Sequence, residues 1–305
     1  MSANVIQISV ALVTRNRPDS LERTLKSLRA QSVQPFEVVV SDDSDAAFAG
    51  DVARVAEKYD CRYINGPQLG LYANRNHVVP ACRGTHIRTM DDDHEFPVDH
   101  FALCHAACLE DPNSTWIIGE FLPGQDVSAR PMPCPGQLHP RGFSVAPADR
   151  QRSWAISDGA SIYPRSIFDQ GLRYIDDYKF GDAYLEFGSR LYWLGHRIRH
   201  LDTTYVLHHY DPGARSFLNL DIDMSARFCA IFCHSFIYQP SARNQVLSCL
   251  EVLKQTLLHT SVATNAFRAG LRGFQKQRDL VSRPRGKATA FRSATVEPVS
   301  DENYI

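Results

Sequence analysis

Val5 to Val13 is a nearly unbroken apolar run. A strand buried on both faces, as in a parallel sheet, reads this way. Thr14-Arg15-Asn16-Arg17-Pro18 then interrupts it. Pro18 suits a first helical turn, and Leu21, Leu25 and Leu28 follow at helical spacing. A second short apolar run, Phe36 to Val40, ends at Ser41-Asp42-Asp43-Ser44-Asp45. The pattern next predicts a helix over about 48–59, a strand over 61–64, a turn at Asn65-Gly66-Pro67 and a helix over about 71–82. A fourth strand runs up to Asp91. Strand and helix alternating at this spacing predict a parallel, doubly wound α/β sheet. Ligands of such sheets lie outside the carboxyl ends of the strands. Three polar clusters sit there: residues 14–17, 42–45 and 91–94.

The second half is less regular. Residues 123–150 are rich in Pro and Gly and predict a long loop or lid. Trp154 to Tyr163 reads as a strand, residues 181–194 as a helix stopped by Gly195, and Tyr205-Val206-Leu207 as a short strand entering His208. Helices are expected over about 222–238, 242–258 and 261–278, with a polar, disordered tail beyond about 280.

Composition narrows the class. The 305 residues are 44% hydrophobic and 22% charged, with a net charge of -1. That is enough for a sizeable core and too acidic for a general nucleic-acid binder. No basic-then-apolar leader and no apolar run long enough to span a membrane is visible, so the expected location is cytoplasmic. The eight cysteines are scattered; Cys104 with Cys108 and Cys229 with Cys233 have helical spacing. They read as reduced thiols packed as small hydrophobes. From residue 265 onward, eight Lys and Arg face four acids, and Phe267, Leu271 and Phe274 give this basic stretch an apolar side. It is either a packing or dimer helix with a solvated tail, or a contact for the inner face of an anionic membrane.

The strongest chemical signal is Asp91-Asp92-Asp93-His94 behind the fourth strand. Adjacent carboxylates repel unless something positive lies between them. A divalent cation carrying phosphates fits, and hard oxygen ligands suit Mg²⁺ or Mn²⁺. The first turn lacks the glycines of a dinucleotide fingerprint, and no P-loop is present, so nicotinamide and ATP chemistry fall behind.

The ordered set Thr14-Arg15-Asn16-Arg17-Pro18, Val39-Val40-Ser41-Asp42-Asp43-Ser44, Gly70-Leu71-Tyr72-Ala73-Asn74-Arg75-Asn76, Gly84 and Asp91-Asp92-Asp93 resembles glycosyltransferase family 2. The likeness covers residues 5 to about 100, continues loosely over 150–210 and gives almost nothing after 220. It implies the GT-A, nucleotide-diphospho-sugar transferase fold: a mostly parallel, Rossmann-like sheet flanked by helices, here with a C-terminal helical extension. The implied division is a domain over 1–215, donor-binding in 1–100 and acceptor-binding in 101–215; the residue pattern itself adds helices over 216–280 and a tail over 281–305.

The resemblance also implies roles. Asp91 and Asp93 would contact metal and ribose in an Asp-X-Asp motif whose register is open by one residue, with Asp92 between them. His208 resembles a late histidine that completes the metal site, and His94 stands behind it. Thr14, Arg15 and Arg17 fall in the first nucleotide loop. Asp42, followed by Asp43, matches the position that meets the donor base, and Arg75 matches an arginine near the diphosphate. The family's Glu-Asp base motif is not present as such; Asp182 and, one turn on, Glu186 are the two options, with Asp182 favoured. Trp154 and Asp158 fall where an acceptor floor is built. The implied activity is metal-dependent, inverting transfer from a nucleotide sugar, most simply a UDP-sugar, to a glycan, lipid-linked or small-molecule acceptor. An inactive scaffold of the same fold and a metal-dependent nucleotidyltransferase are the alternatives.

Overall fold

A computed structural model describes residues 5–128, 133–211 and 219–282. The expected tail beyond 282 lies outside the described residues. The elements in chain order are β1 (Ile8–Thr14), α1 (Pro18–Arg29), β2 (Glu37–Asp42), α2 (Ala46–Lys58), β3 (Arg62–Asn65), α3 (Leu71–Val78), β4 (His86–Asp91) and β5 (His94–Glu95). Then come α4 (His100–Glu110), β6 (Thr115–Phe121), β7 (Gln137–Leu138), β8 (Ser144–Val145), β9 (Ser161–Pro164) and α5 (Arg165–Asp169). The last are α6 (Ala183–Trp193), β10 (Ile198–His208), α7 (Leu220–Cys233), a π-helical turn His234–Tyr238, α8 (Ala242–Leu258) and α9 (Thr260–Ser282).

Eight strands form one sheet in the order β3-β2-β1-β4-β9-β6-β10-β5, and β7 pairs with β8 in a separate hairpin. All seven residues of β1 are buried, as its apolar run required. Its side chains alternate between two cores. Val10 and Leu12 pack with Leu21, Leu25 and Leu28 of α1, while Ala11 and Val13 pack with Tyr72 of α3 and Phe187 of α6. Each buried leucine of α1 contributes about 2 kcal/mol by leaving water.

The sheet is mostly parallel, but not wholly so. β9 runs antiparallel to both β4 and β6, and β5 runs antiparallel to β10. The strand expected over 154–163 is only its last part. Residues 154–160 are loop, because Gly159 must pass under the acidic run: a Cβ there would lie 2.3 Å from Asp91 Oδ2. Arg88, buried in β4, holds this loop through Nη1 donating to the Gly159 carbonyl at 2.9 Å. The short strand expected before His208 is the end of an eleven-residue strand that shifts register between Leu201 and Tyr205. The C-terminal helices are not a detached unit: Ala226 and Cys229 of α7 share a core with β1 and α6. All eight cysteines are free thiols. Among the described residues no helix is long and apolar enough to cross a membrane.

Candidate functional site

A cleft of about 580 Å³ lies at the carboxyl ends of the strands. Thr14, Arg15, Arg17, Asp43, Asp91, Asp93, Asp158, Asp182 and His208 all line it. The sheet brings these distant segments together because β1, β2 and β4 run parallel and end side by side.

The three aspartates are separately held. Arg75 Nη2 donates to Asp91 Oδ1 at 2.9 Å and lies 3.3 Å from Asp158 Oδ1. Arg75 is fully buried, so its charge stays inside with these two carboxylates. Asp92 points away from the cleft into protein. Thr14 Oγ1 donates to its Oδ2 at 2.6 Å, Arg17 pairs with it, and Thr24 Oγ1 donates to its carbonyl at 2.7 Å. Burial pushes the Asp92 carboxyl up, against the pull of Arg17. Asp93 receives Arg17 Nη1 at 3.0 Å. Burial alone would raise it, but His208, His94 and Arg17 hold it below the usual carboxylate range.

The antiparallel pairing of β10 with β5 sets His208 opposite His94. This register completes a cluster: one ligand atom each from Asp93, His94 and His208 lies within 4.8 Å of the others. Both ring nitrogens of His94 are buried without a hydrogen-bond partner, and Asp93 Oδ1 is buried with His208 Nε2 3.5 Å away, at the limit of a hydrogen bond. Such groups are costly unless something satisfies them. One carboxylate and two imidazoles suit Mn²⁺ or a similar divalent ion, so the residues present fit a metal. Asp91, held by Arg75, is not in this cluster. His208 Nδ1 lies 3.0 Å from Glu120 Oε2, which fixes the ring. Burial opposes a proton on His208, yet Asp93 and Glu120 raise its pKa to about 10. A bound cation would displace that proton.

Across the cleft, Gly181 (φ 106°) turns the chain into α6, a conformation that favours glycine. The Tyr72 hydroxyl donates to its carbonyl at 2.5 Å and fixes this turn to α3. Asp182 follows at the helix start. Its side chain makes no capping bond; instead Arg227 Nε of α7 donates to Oδ2 at 3.2 Å. Burial pushes the Asp182 carboxyl up to about 6, with Arg227 opposing. Burial also pushes Asp158 up to about 6, with Arg75 opposing.

Other expected residues lie elsewhere. Glu186 does not line the cleft; it is fully buried, 3.1 Å from Arg190 Nε and bonded to the Tyr238 hydroxyl. Trp154 is buried against Tyr192 and His234. Asp42 is spent locally, accepting from Tyr63 Oη at 2.9 Å and from the Ser44 N–H at 2.8 Å. Its neighbour Asp43 accepts from the Gln68 and Gly70 N–H groups and faces the cleft. The sequence reading missed Glu120 and Arg227. Glu120 was detectable, as the one charge in the otherwise apolar strand β6. Arg227 carries no local signal, since it acts across 45 residues.

Residues 9–172 match the family model described as Glycosyl transferase family 2. A Campylobacter jejuni protein named GalNAc(5)-diNAcBac-PP-undecaprenol beta-1,3-glucosyltransferase is 30% identical over 93 residues, 29% of this chain and 30% of the relative. A Bacillus subtilis putative glycosyltransferase, EpsH, is 31% identical over 88 residues, 28% of this chain and 26% of the relative. The matched stretch thus spans under a third of each curated relative. Among solved structures, S. aureus TarS 1-349 in complex with UDP-GlcNAc has a TM-score of 0.63 at 16% identity, covering 90% of this chain and 84% of that one. GalNAc-T7 with UDP, GalNAc and Mn2+ has a TM-score of 0.63 at 13% identity, covering 85% and 59%. These likenesses establish a GT-A fold.

Proposed function

The chain belongs to glycosyl transferase family 2, and on that premise we propose that it transfers a sugar from a UDP-sugar to an acceptor hydroxyl, with a divalent metal and inversion at the anomeric carbon. One observation carries this reading: a single cleft is lined by Asp93 and His208, with His94 buried behind them, and by Asp182.

Asp93, His94 and His208 would hold the metal, with Asp91 beside them. When bound, a divalent cation there supplies positive charge to the departing diphosphate. Arg17 and Arg75 hold the acidic run in place through the ion pairs described. Thr14, Arg15 and Asp43 shape the nucleotide end of the cleft, with Asp42 and Asp92 behind them. Asp182 is the proposed base. With a pKa of about 6 it is ionised at neutral pH and still basic enough to accept a proton. It takes that proton as the acceptor oxygen bonds to the anomeric carbon and the UDP oxygen leaves with the bonding pair. One displacement with one base inverts the centre. Asp158 and Tyr184 complete the acceptor side of the cleft. Trp154, packed against Tyr192 and His234, does not line the cleft and takes no part in this reading. The acceptor is a glycan, a lipid-linked sugar or a small molecule.

Thermal shift tests the donor half. UDP, and UDP-GlcNAc or UDP-glucose, should raise the midpoint only with Mn²⁺ present, and Asp93→Ala should abolish the rise. Equal shifts with and without metal, or a shift retained by Asp93→Ala, would reject the metal assignment.

A further inference from the structure

α8 faces the wrong way for a helix bathed in water. Its inward side is polar: Ser248, Glu251 and Gln255 are buried. Its outward side is apolar. Val246, Leu250, Leu253 and Leu257 fall at i, i+4, i+7 and i+11, one stripe along the helix, and are 53% to 71% exposed. Leu258 extends the stripe at 63%. A groove of about 400 Å³, lined by Phe232, Val252, Leu253, Ala263 and Phe267, continues it onto α9. Surface helices of water-soluble proteins show the opposite order, and a contiguous apolar patch of this kind marks an interaction surface.

Charge identifies the occupant. From Ala242 to Arg278 the chain carries Arg243, Lys254, Arg268, Arg272, Lys276 and Arg278. The one acid in that span is Glu251, which is buried and bonded to Arg141; Asp279 follows beside Arg278. Lys254, one turn from both Leu250 and Leu257, stands at the edge of the stripe 3.9 Å from Glu251, and Arg268 stands beside Phe267, so two cations border the stripe, while Lys276 is paired with Asp177. Pairing this face with a second copy would set like charges against each other. No described helix can cross a bilayer. We propose that the α8–α9 hairpin lies flat on an anionic lipid surface, with its leucines in the headgroup boundary and its cations at the phosphates.

The placement has a consequence for catalysis. The inward side of α8 borders a polar cavity of about 470 Å³, where Glu251, Lys254 and Gln255 meet Arg141, Arg227 and Asp182. A bilayer against α8 therefore sets the proposed base near the membrane edge, within reach of an acceptor anchored in lipid. That consequence rests on the proposed function; the lipid contact does not.

Co-sedimentation of the full chain with vesicles tests it. The protein should pellet with vesicles containing phosphatidylglycerol and stay in solution with phosphatidylcholine alone, and high salt should release it. Each cation removed from the surface weakens partitioning about fivefold. Lys254→Ala with Arg268→Ala should therefore cost about 25-fold. Leu253→Ser with Leu257→Ser should abolish pelleting while leaving the thermal midpoint unchanged, because both side chains are already exposed. Two results would overturn the proposal. One is no pelleting with either vesicle. The other is a dimer in sedimentation equilibrium that the leucine variant dissolves, which would make a second copy the occupant. Metal-dependent UDP binding, measured separately, tells a failed lipid contact from a failed catalytic reading.

Discussion

Replacing Arg227 with methionine should move the acid limb of the pH–rate profile upward. Arg227 Nε lies 3.2 Å from Asp182 Oδ2 and is the largest force holding that carboxyl down against burial. An arginine beside an aspartate lowers its pKa by about 1–3 units. The lower end applies, because the guanidinium is part-exposed and shared with Asp223 at 3.2 Å. The variant's Asp182 should therefore titrate about one unit higher, near 7, a change of about 1.4 kcal/mol in its proton affinity. The sign is fixed by the role. A base works when deprotonated, so activity falls as pH drops through its pKa. In wild type the fall should centre near pH 6, and in Arg227→Met near 7. At pH 6 the variant's kcat/KM should be about fivefold lower from ionisation alone, with the gap closing above pH 8. Methionine keeps the aliphatic stem that packs beneath Gly142. The assay is UDP release against pH at subsaturating acceptor. An unmoved limb would refute the assignment of Asp182. Asp158, with its own pKa of about 6, is then the next candidate, and Arg75, not Arg227, governs it.

Asp182→Asn should bind UDP-sugar and metal normally yet lose transfer by at least about 100-fold, the usual weight of a general base; normal turnover would exclude it. Glu186→Gln should instead destabilise the fold by about 3 kcal/mol in chemical denaturation, because it leaves Arg190 as an uncompensated buried charge. A stable Glu186→Gln protein without activity would move the base role from Asp182 to the alternative, Glu186. Gly159→Ala should weaken metal-dependent UDP binding at least about tenfold while circular dichroism stays native, since its Cβ would press on Asp91 and on the His94 ring; unchanged binding would show that the site tolerates the shift.

The first half of the fold was legible because its signals are local. β1 is apolar throughout, α1 repeats leucines at helical spacing, and each strand end is marked by polar residues. Residues 154–163 were not. Their apolar letters suggest a strand, but Gly159 must run beneath Asp91 and leave the sheet to do so. α8 was readable as a helix and unreadable in orientation. Its leucines lie on the exposed side, while Glu251, bonded to Arg141 and Gln255, lies on the buried one.

The acidic run shows most sharply what sequence withholds. Three adjacent aspartates suggest one shared counter-charge. In the fold the chain turns between them, and each carboxylate acquires its own surroundings. Asp91 goes to Arg75, Asp92 to Thr14 and Arg17 in the interior, and Asp93 to Arg17 and the histidines. The repulsion is thus relieved mainly by arginines from α3 and from the loop before α1, brought in by parallel strand pairing. Among the atoms left without a hydrogen bond are one oxygen of Asp93 and both ring nitrogens of His94, and these three lie together beside His208. A cation bound there, as proposed, would serve those atoms and not the run as a whole. Charge counting along the chain leads to the right region, but only the partners contributed by β10 and β6 single out Asp93 as the aspartate that joins the histidine cluster.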